Sequence, residues 1–302
     1  MHNKNPEILC KLTKNIFSIF YWQIGGYMLY YKSGKNHRYW QRRLKTQKGN
    51  LMNIVVFDTE TTALEKCYCY NVGYAIYDTD LQSVVLKREY VVEQVWHNLP
   101  LFATAYYANK RPLYVSRMKA KKIKLEKFGY ICQQMIRDFK NYDVACAYAY
   151  NSSFDEKVFN FNCDWFKCIN PFETLPIYDI RGNVHKVIAF TADYQKFCED
   201  NKLLTDSGNY STTAEALYKY TAKNLDFEEE HTALSDTLIE LEILIETIKR
   251  GCEYNIQYVA EKTVPRYSVK NLDIIADGKT IASFEYTKKT AKKDKIYLTL
   301  AK

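Results

Sequence analysis

The sequence predicts an α/β domain in which a mixed central sheet is flanked by helices, followed by a small C-terminal β extension. Two observations lead to this fold class. Three apolar, strand-like segments separated by turn residues lie between residues 53 and 92, and later segments carry apolar side chains at helical spacing. Consecutive strands followed by helices give a sheet with helices packed against it.

The first predicted strand begins near Asn53 and is apolar without interruption. Its residues 54–57 read Ile-Val-Val-Phe, which is typical of a strand buried on both faces. Two further strands are predicted over 71–77 and 83–92, joined by a turn at 78–80.

Helices and another strand are predicted after this three-stranded run. A helix over 122–140 has apolar residues at helical spacing and leads into a strand over 143–149. The last helix follows His231. Its predicted buried stripe consists of Leu234, Leu238, Leu241, Ile245 and Ile248.

Four acidic residues and one histidine stand at the ends of these elements. Asp58 and Glu60 close the first strand, and their spacing of two places both carboxylates on one face. Asp155 follows the strand over 143–149, and His231 and Asp236 open the last helix. Carboxylate oxygens are the ligands that hard cations such as Mg²⁺ prefer, so these residues predict a metal site.

Each segment alone also has an ordinary structural interpretation. An Asp-x-Glu after a strand is commonly a solvated turn, and Asn151 or Ser152 can cap a helix that has Asp155 in its first turn. His231 can be an ordinary polar residue, and Asp236 an acid that favours a helix start. The functional interpretation depends on their joint occurrence in this order.

Together, the segments around Asp58, Asp155 and Asp236 resemble the three exonuclease motifs of the DEDD family, in its histidine-containing branch. The resemblance spans about residues 52–250 and implies a ribonuclease H-like fold and a metal-dependent 3′–5′ exonuclease. It implies two Mg²⁺ (or Mn²⁺) ions held by Asp58, Glu60, Asp155 and Asp236, with His231 as general base. By the same resemblance, the neighbours of the terminal nucleotide are Thr61, Thr62 and Leu64.

Helix geometry restricts His231, and the resemblance implies that it lies in the loop or first turn before Asp236. On one ideal helix, His231 and Asp236 would lie on different faces, so the histidine reaches the site only from a loop or the first turn. Histidine suits the role of base because its pKa lies near working pH. The acids at 228–230 are expected mainly to complement the helix dipole. If they stay close, they favour the protonated imidazole, which predicts an alkaline activity optimum.

The partner implied by the resemblance is nucleic acid with a 3′ end, and single-stranded DNA is favoured. RNA trimming by the same site stays open. A non-catalytic module that binds nucleic acid or a polymerase also stays open, although it predicts a missing carboxylate. Likeness to proofreading members implies a polymerase or replication partner. Ala63 stands where the family often has glycine. The 27 tyrosines hint at an AT-rich genome, such as that of a low-GC bacterium or its phage.

Residues 1–51 form a basic N-terminal extension. They carry ten Lys/Arg and one acid, a net charge of +9, so residues 52–302 sum to −1 of the total +8. Met52 is a plausible alternative start, because the first motif follows it almost at once. An apolar segment over 16–31 is interrupted by Gln23 and two glycines and is short for a membrane span. A membrane partner is therefore not expected, and a basic amphipathic anchor is the competing interpretation.

A local basic cluster follows the third strand. With Tyr114 among them, these side chains fit either a phosphate-tracking surface or the solvated face of a helix. The cluster consists of Lys110, Arg111, Arg117, Lys119, Lys121, Lys122, Lys124 and Lys127.

Cysteine usage and the C-terminal residues complete the expectations. Nine cysteines show neither zinc-type paired spacing nor a disulfide framework, which favours a reducing, cytoplasmic location. Residues 251–302 are expected to form a C-terminal extension, with a β-hairpin built from strands over 279–286 and 295–300.

Overall fold

The computed structural model describes residues 19–24, 27–32, 52–276, 279–289 and 296–299, with side chains over 52–266. The chain forms two compact units, Met1–Leu51 and Met52–Lys302. In the first, strands β1 (Ile19–Ile24) and β2 (Tyr27–Lys32) pair antiparallel. The rest of the basic N-terminal extension lies outside the described residues. Among the described residues, no helix combines the length and apolar character needed to cross a bilayer.

The second unit is built on a six-stranded sheet. Its strands are β3 (Asn53–Thr61), β4 (Cys69–Asp78), β5 (Ser83–Val92), β6 (Lys124–Glu126), β7 (Val144–Ala149) and β8 (Ile177–Asp179). Their order across the sheet is β6-β5-β4-β3-β7-β8. β4 runs antiparallel to both of its neighbours, β3 and β5, whereas β7 runs parallel to β3, β8 to β7 and β6 to β5.

Helices cover both faces of this mixed sheet. They are α1 (Glu93–Trp96), α2 (Leu99–Phe102), α3 (Arg111–Lys119), α4 (Phe128–Asn141), α5 (Ser152–Phe166), α6 (Ile180–Val187), α7 (Ala192–Asp200), α8 (Ala214–Thr221) and α9 (Ala233–Lys249). The strand order of this mixed sheet and the helices on both of its faces confirm the ribonuclease H-like α/β fold class.

The central strand β3 divides the core into two layers. Val55 and Phe57 pack with residues of α4 and α5, while Ile54 and Val56 pack with residues of α6 and α9. All four side chains are fully buried. The prediction of a strand buried on both faces is therefore confirmed, and alternate residues of β3 face alternate layers.

Two predicted helices differ in detail from the structure. The helix predicted from residue 122 begins at Phe128, because residues 124–126 pair with β5 as the short strand β6. In α9, Leu241 is buried as predicted, but Leu234 and Leu238 are only partly buried. The helix contacts both the sheet and α6 and α8, so its buried surface is wider than the predicted stripe and shifted from it. That surface includes Thr237, Glu240, Leu241 and Leu244.

A separate three-stranded antiparallel sheet follows the helical part of the chain. Its strands are β9 (Tyr267–Ala276), β10 (Lys279–Lys289) and β11 (Ile296–Thr299), in the order β11-β10-β9. β10 and β11 lie at the two segments predicted as strands, and they pair with each other. β9 was not predicted.

Candidate metal centre

The end of β3 delivers two carboxylates to the α9 side of the sheet. Asp58 and Glu60 continue the alternation of Ile54 and Val56, which face that side. Thr59 faces the opposite side. Asp58 and Glu60 lie on one face, as predicted, and their carboxylate oxygens lie within 4.8 Å of each other.

The start of α9 brings the third carboxylate to the same place. A Cβ at Gly73 of β4 would lie 2.3 Å from the carbonyl carbon of Ala233, so only glycine lets the helix approach this closely. The backbone amide of Ala233 donates a 2.8 Å hydrogen bond to Oδ1 of Asn71, also on β4. Asp236, in the first turn, consequently has a carboxylate oxygen within 4.8 Å of both Asp58 and Glu60.

Asp155 approaches from the helix that follows β7. The chain leaves β7 through Asn151, whose φ of 61° is left-handed, and begins α5 at Ser152. Asn151 is the N-cap residue but its side chain makes no capping hydrogen bond, so the capping interpretation of Asn151 is wrong. Asp155 is 3% exposed, and its Oδ1 accepts a 2.6 Å hydrogen bond from the Thr59 hydroxyl. Its charge acts on Asp58, whose pKa is raised first by burial and then by Asp155.

A fifth carboxylate, which the sequence analysis missed, lies in the same region. Glu240 is one helical turn beyond Asp236 on α9 and is 5% exposed. Its Oε2 accepts a 3.2 Å hydrogen bond from the amide of Tyr150, at the end of β7. Burial raises the pKa of Glu240, and the nearby Asp155 raises it further. The i, i+4 spacing of Asp236 and Glu240 was the available sequence signal.

The electrostatics of this group favour a bound cation. Burial raises the pKa of Asp155 to about 7 and that of Asp236 to about 8. Burial followed by repulsion from Asp236 raises the pKa of Glu60. Oδ1 of Asp236 is buried without a hydrogen-bond partner among the described residues. Clustered, desolvated carboxylates with an unpaired oxygen are a donor set that fits divalent, oxygen-preferring cations.

His231 lies in the loop immediately before α9, as the helix geometry predicted. Its φ is 51°, and its ring stacks on Tyr107 at 4.3 Å between centroids. The backbone of His231 partly offsets the rise in the pKa of the Asp236 carboxyl group. Burial lowers the pKa of the imidazole, and the nearby Lys110 lowers it further. The expectation that the preceding acids raise this pKa is therefore wrong.

The acids at 228–230 have partners other than the helix dipole. The Arg117 guanidinium of α3 donates to both carboxylate oxygens of Glu230 at 2.6 Å and to the Thr232 hydroxyl at 3.0 Å. Lys110 donates to the backbone carbonyl of Glu230. Oε2 of Glu229 lies 3.6 Å from Nδ1 of His231. These contacts hold the chain on both sides of His231.

Part of the predicted basic cluster is therefore used inside the protein. Besides Lys110 and Arg117, Arg111 stacks on Trp96 at 3.8 Å from the ring centroid and donates to the Trp96 carbonyl. Tyr114 is fully buried, so it does not face a nucleic-acid strand. The exposed members are Lys119, Lys121, Lys122, Lys124 and Lys127.

The three residues expected near a terminal nucleotide lie at the end of β3 and on the loop after it. The Thr61 hydroxyl donates to the Ala63 carbonyl at 3.3 Å. Thr62 is 2% exposed, and its hydroxyl donates to the loop carbonyl of Lys66. Leu64 is 75% exposed. Of the three side chains, Leu64 is the one that projects into solvent.

No protein-family model and no curated protein matches this sequence. Among solved structures, the chain is similar to a 3′-exonuclease described in 3′-end-specific recognition of the histone mRNA stem-loop. The identity is 14%, the TM-score is 0.46, and 72% of each chain is covered. It is also similar to the nuclease domain of 3′hExo, described as a DEDDh family member bound to rAMP. Here the identity is 13% and the TM-score 0.45, over 67% of this chain and 94% of that one.

A third similar structure is Escherichia coli exonuclease I in complex with a dT13 oligonucleotide. The identity is 16% and the TM-score 0.43, over 66% of this chain. The match covers 41% of exonuclease I, so this chain corresponds to less than half of that protein.

Proposed function

We propose that the chain is a metal-dependent 3′–5′ exonuclease of the DEDD type, in its histidine-containing branch. It removes nucleoside monophosphates from the 3′ end of nucleic acid, most readily single-stranded DNA. The observation that carries this proposal is the convergence of Asp58, Glu60 and Asp236 within 4.8 Å. The charge of Asp155 acts on this group, and His231 lies in the loop before the helix that carries Asp236.

Asp58, Glu60, Asp155 and Asp236 would hold two divalent ions, Mg²⁺ or Mn²⁺. Such ions activate a water molecule and stabilise the departing 3′ oxygen during phosphodiester hydrolysis. The chain's own contribution is to keep the carboxylates in place. Thr59 holds Asp155, and Asn71 and Gly73 fix the start of the helix that carries Asp236. Because the site is buried, charge interactions within it are stronger than in bulk water.

His231 accepts the proton of the attacking water in this proposal. Its lowered pKa keeps the imidazole neutral, and therefore able to accept a proton, at neutral pH. Stacking on Tyr107 and the contacts of Arg117 to Glu230 and Thr232 orient the loop that carries it. The unusual φ of His231 is thus supported from several directions.

Two exposed apolar side chains lie beside this site. Tyr106 is 87% exposed and contacts Tyr107, the residue that stacks on His231. Leu64 is 75% exposed, and its carbonyl accepts from Lys157 of α5, the helix of Asp155. Aromatic stacking on an unpaired base is tolerant of sequence and contributes about 1–3 kcal/mol. We place the terminal nucleotides against Tyr106 and Leu64.

Likeness to proofreading enzymes extends the proposal to a polymerase or replication partner. The cysteine usage extends it to a cytoplasmic location, and the 27 tyrosines extend it to a phage or low-GC bacterial source. The opposing idea, a non-catalytic binding module, requires a lost carboxylate, whereas Asp58, Glu60, Asp155 and Asp236 are all present.

The test mixes 5′-labelled single-stranded DNA and RNA, in different dyes, with the protein and Mg²⁺. Wild type is compared with Asp58→Ala and with Asp164→Ala, a matched change at an exposed acid of α5. We expect ladders that shorten from the 3′ end with wild type and Asp164→Ala only, and none in EDTA. Faster loss of the DNA dye supports the DNA preference, and faster loss of the RNA dye establishes RNA trimming. No shortening with Mg²⁺ or Mn²⁺ rejects the exonuclease.

A further inference from the structure

Three cysteines converge on the opposite layer of the core from Asp236. Cys132 belongs to α4, Cys163 to α5, and Cys168 follows the end of α5. Sγ of Cys132 lies 4.0 Å from Sγ of Cys163 and 3.9 Å from Sγ of Cys168, and all three sulfurs lie within 4.8 Å of one another. All three are free thiols.

The spacing of the sulfurs fits a common bond length to a metal ion. A point equidistant from three sulfurs at these separations lies about 2.3–2.5 Å from each, and a Zn–S bond is about 2.3 Å. A disulfide, by contrast, needs two sulfurs about 2.05 Å apart. The cluster is therefore close to a geometry that an ion can occupy, with little movement of the backbone.

The chain ends α5 in a way that builds this cluster. Lys167 is left-handed, with a φ of 53°, and the amide of Cys168 then donates back to the Cys163 carbonyl at 3.0 Å. This turn places Cys168 against α4, where a Cβ at Gly129 would lie 3.4 Å from Cys168 Cβ. Four residues separate Cys163 from Cys168, and Cys132 lies far away in sequence. For this reason no paired zinc-type spacing is visible.

Cys168 ionises more readily than Cys132 and is the more exposed of the two. The contact with Cys132 lowers the pKa of the Cys168 thiol to about 7, whereas the contacts with Cys163 and Cys168 raise the pKa of Cys132. Cys132 and Cys163 are 1% and 5% exposed, whereas Cys168 is partly exposed. The cluster is thus reachable from solvent at one corner. Binding an ion there releases the remaining thiol protons.

We propose that Cys132, Cys163 and Cys168 form a three-thiolate site for a soft, thiophilic cation, with Zn²⁺ as its ion. Water could supply a fourth ligand, because Cys168 is the partly exposed member of the three. Thiolates select Zn²⁺ over Mg²⁺, so the site does not compete for the hard ions of the carboxylate centre. The bound ion ties α4 to the end of α5, the helix that carries Asp155 at its start.

The experiment titrates Co²⁺, a spectroscopic substitute for Zn²⁺, into chelator-treated, fully reduced full-length protein. We expect a sulfur-to-cobalt charge-transfer band that saturates at one equivalent and disappears when Zn²⁺ is added. In Cys168→Ser the band should be lost, and Zn²⁺ affinity should fall by more than the ~10–100-fold that loss of an outer-shell partner costs. Cys198→Ser, a change at a buried cysteine outside the cluster, should keep both.

Two controls keep the result interpretable. Asp58→Ala should retain the charge-transfer band, because carboxylate ligands give no sulfur-to-metal transition, and this outcome is independent of the exonuclease proposal. Circular dichroism and Tm with and without Zn²⁺ report folding, and Zn²⁺ should raise Tm in wild type but not in Cys168→Ser. A folded wild type without the band, or an unchanged band in folded Cys168→Ser, overturns the site.

Discussion

Oδ1 of Asn71 accepts a 2.8 Å hydrogen bond from the amide of Ala233, a residue 162 positions later in the chain. Thr232, which precedes the helix, gives it no side-chain cap, so Asn71 on β4 satisfies an amide that its own segment leaves free. The bond joins the sheet that holds Asp58 to the helix that holds Asp236. Asn71 is fully buried, and its amide nitrogen donates to the Tyr90 carbonyl, which fixes its orientation.

The close approach at Gly73 gives the first prediction. Gly73→Ala places a methyl group 2.3 Å from the Ala233 carbonyl carbon, so the start of α9 must shift and Asp236 must move with it. We expect a loss of about 1–3 kcal/mol in the free energy of unfolding, as for other overpacked cores, together with a lower kcat. Gly129→Ala is the control, because its Cβ meets Cys168 Cβ at 3.4 Å, an ordinary contact. Equal Tm and kcat for Gly73→Ala and wild type contradict the prediction.

The loop that carries His231 gives a second prediction. Arg117→Lys keeps the charge but cannot bridge Glu230 and Thr232 with one planar group. A base displaced by about 1 Å can cost about 100-fold in rate. We therefore expect a fall in kcat of this order with KM changed little, measured on labelled single-stranded DNA. Arg137→Lys, on the exposed side of α4, should leave both constants unchanged. A change confined to KM assigns Arg117 to substrate binding instead.

The contacts that sequence alone could not reveal share a physical property. Asp58, Glu60, Asp155 and Asp236 could be predicted because each belongs to a short segment whose neighbours identify it. Three contacts of the site join residues that are far apart in sequence, and no local pattern encodes such pairings. They are Asn71 with Ala233, Arg117 with Glu230, and Glu240 with Tyr150, at separations of 162, 113 and 90 positions. The buried surface of α9 was wrongly predicted for a related reason. A helix packed on two sides does not follow a single apolar stripe.

The stability of the metal-free protein should depend on pH. The folded-state pKa values of Asp155 and Asp236, about 7 and 8, lie above the ordinary value of 3.8, so the folded, metal-free protein holds these protons more tightly than the unfolded chain does. Their contribution to stability is therefore present at low pH and lost as pH rises through about 7 to 8. We expect Tm in EDTA to fall between pH 6 and 8.5, with a smaller fall in Asp236→Asn.

Mg²⁺ should oppose that loss, because it binds the deprotonated carboxylates. At about 100 times its Kd it adds about 2.7 kcal/mol, or roughly 5–10 °C in Tm for a domain of this size. The Tm increase caused by Mg²⁺ should be larger at pH 8.5 than at pH 6. A Tm increase that is the same at both pH values contradicts the linkage.

The imidazole of His231 should titrate below its ordinary range. Burial and Lys110 both lower its pKa, so its NMR ring signals in the metal-free protein should titrate below pH 6.5. Lys110→Gln removes the positive charge while keeping a donor for the Glu230 carbonyl, and it should move the midpoint upward. Comparison with His231→Asn assigns the signals. A midpoint above 6.5 in wild type would contradict this prediction and show that the preceding acids dominate the pKa of the imidazole.

Substitutions at Glu240 can distinguish a structural carboxyl group from a metal ligand. Its pKa is raised by burial and by Asp155, which favours the protonated form, and its oxygen accepts from the Tyr150 amide. Glutamine reproduces both features, and Glu240→Gln should retain kcat within about threefold, a barrier change below 1 kcal/mol. Glu240→Ala instead leaves the Tyr150 amide without its acceptor and should cost about 1–3 kcal/mol in the free energy of unfolding. Asp58→Asn, the same change at a proposed ligand, should abolish activity. If Glu240→Gln is as inactive as Asp58→Asn, the carboxylate of Glu240 itself binds the metal, and the centre has five acidic ligands rather than four.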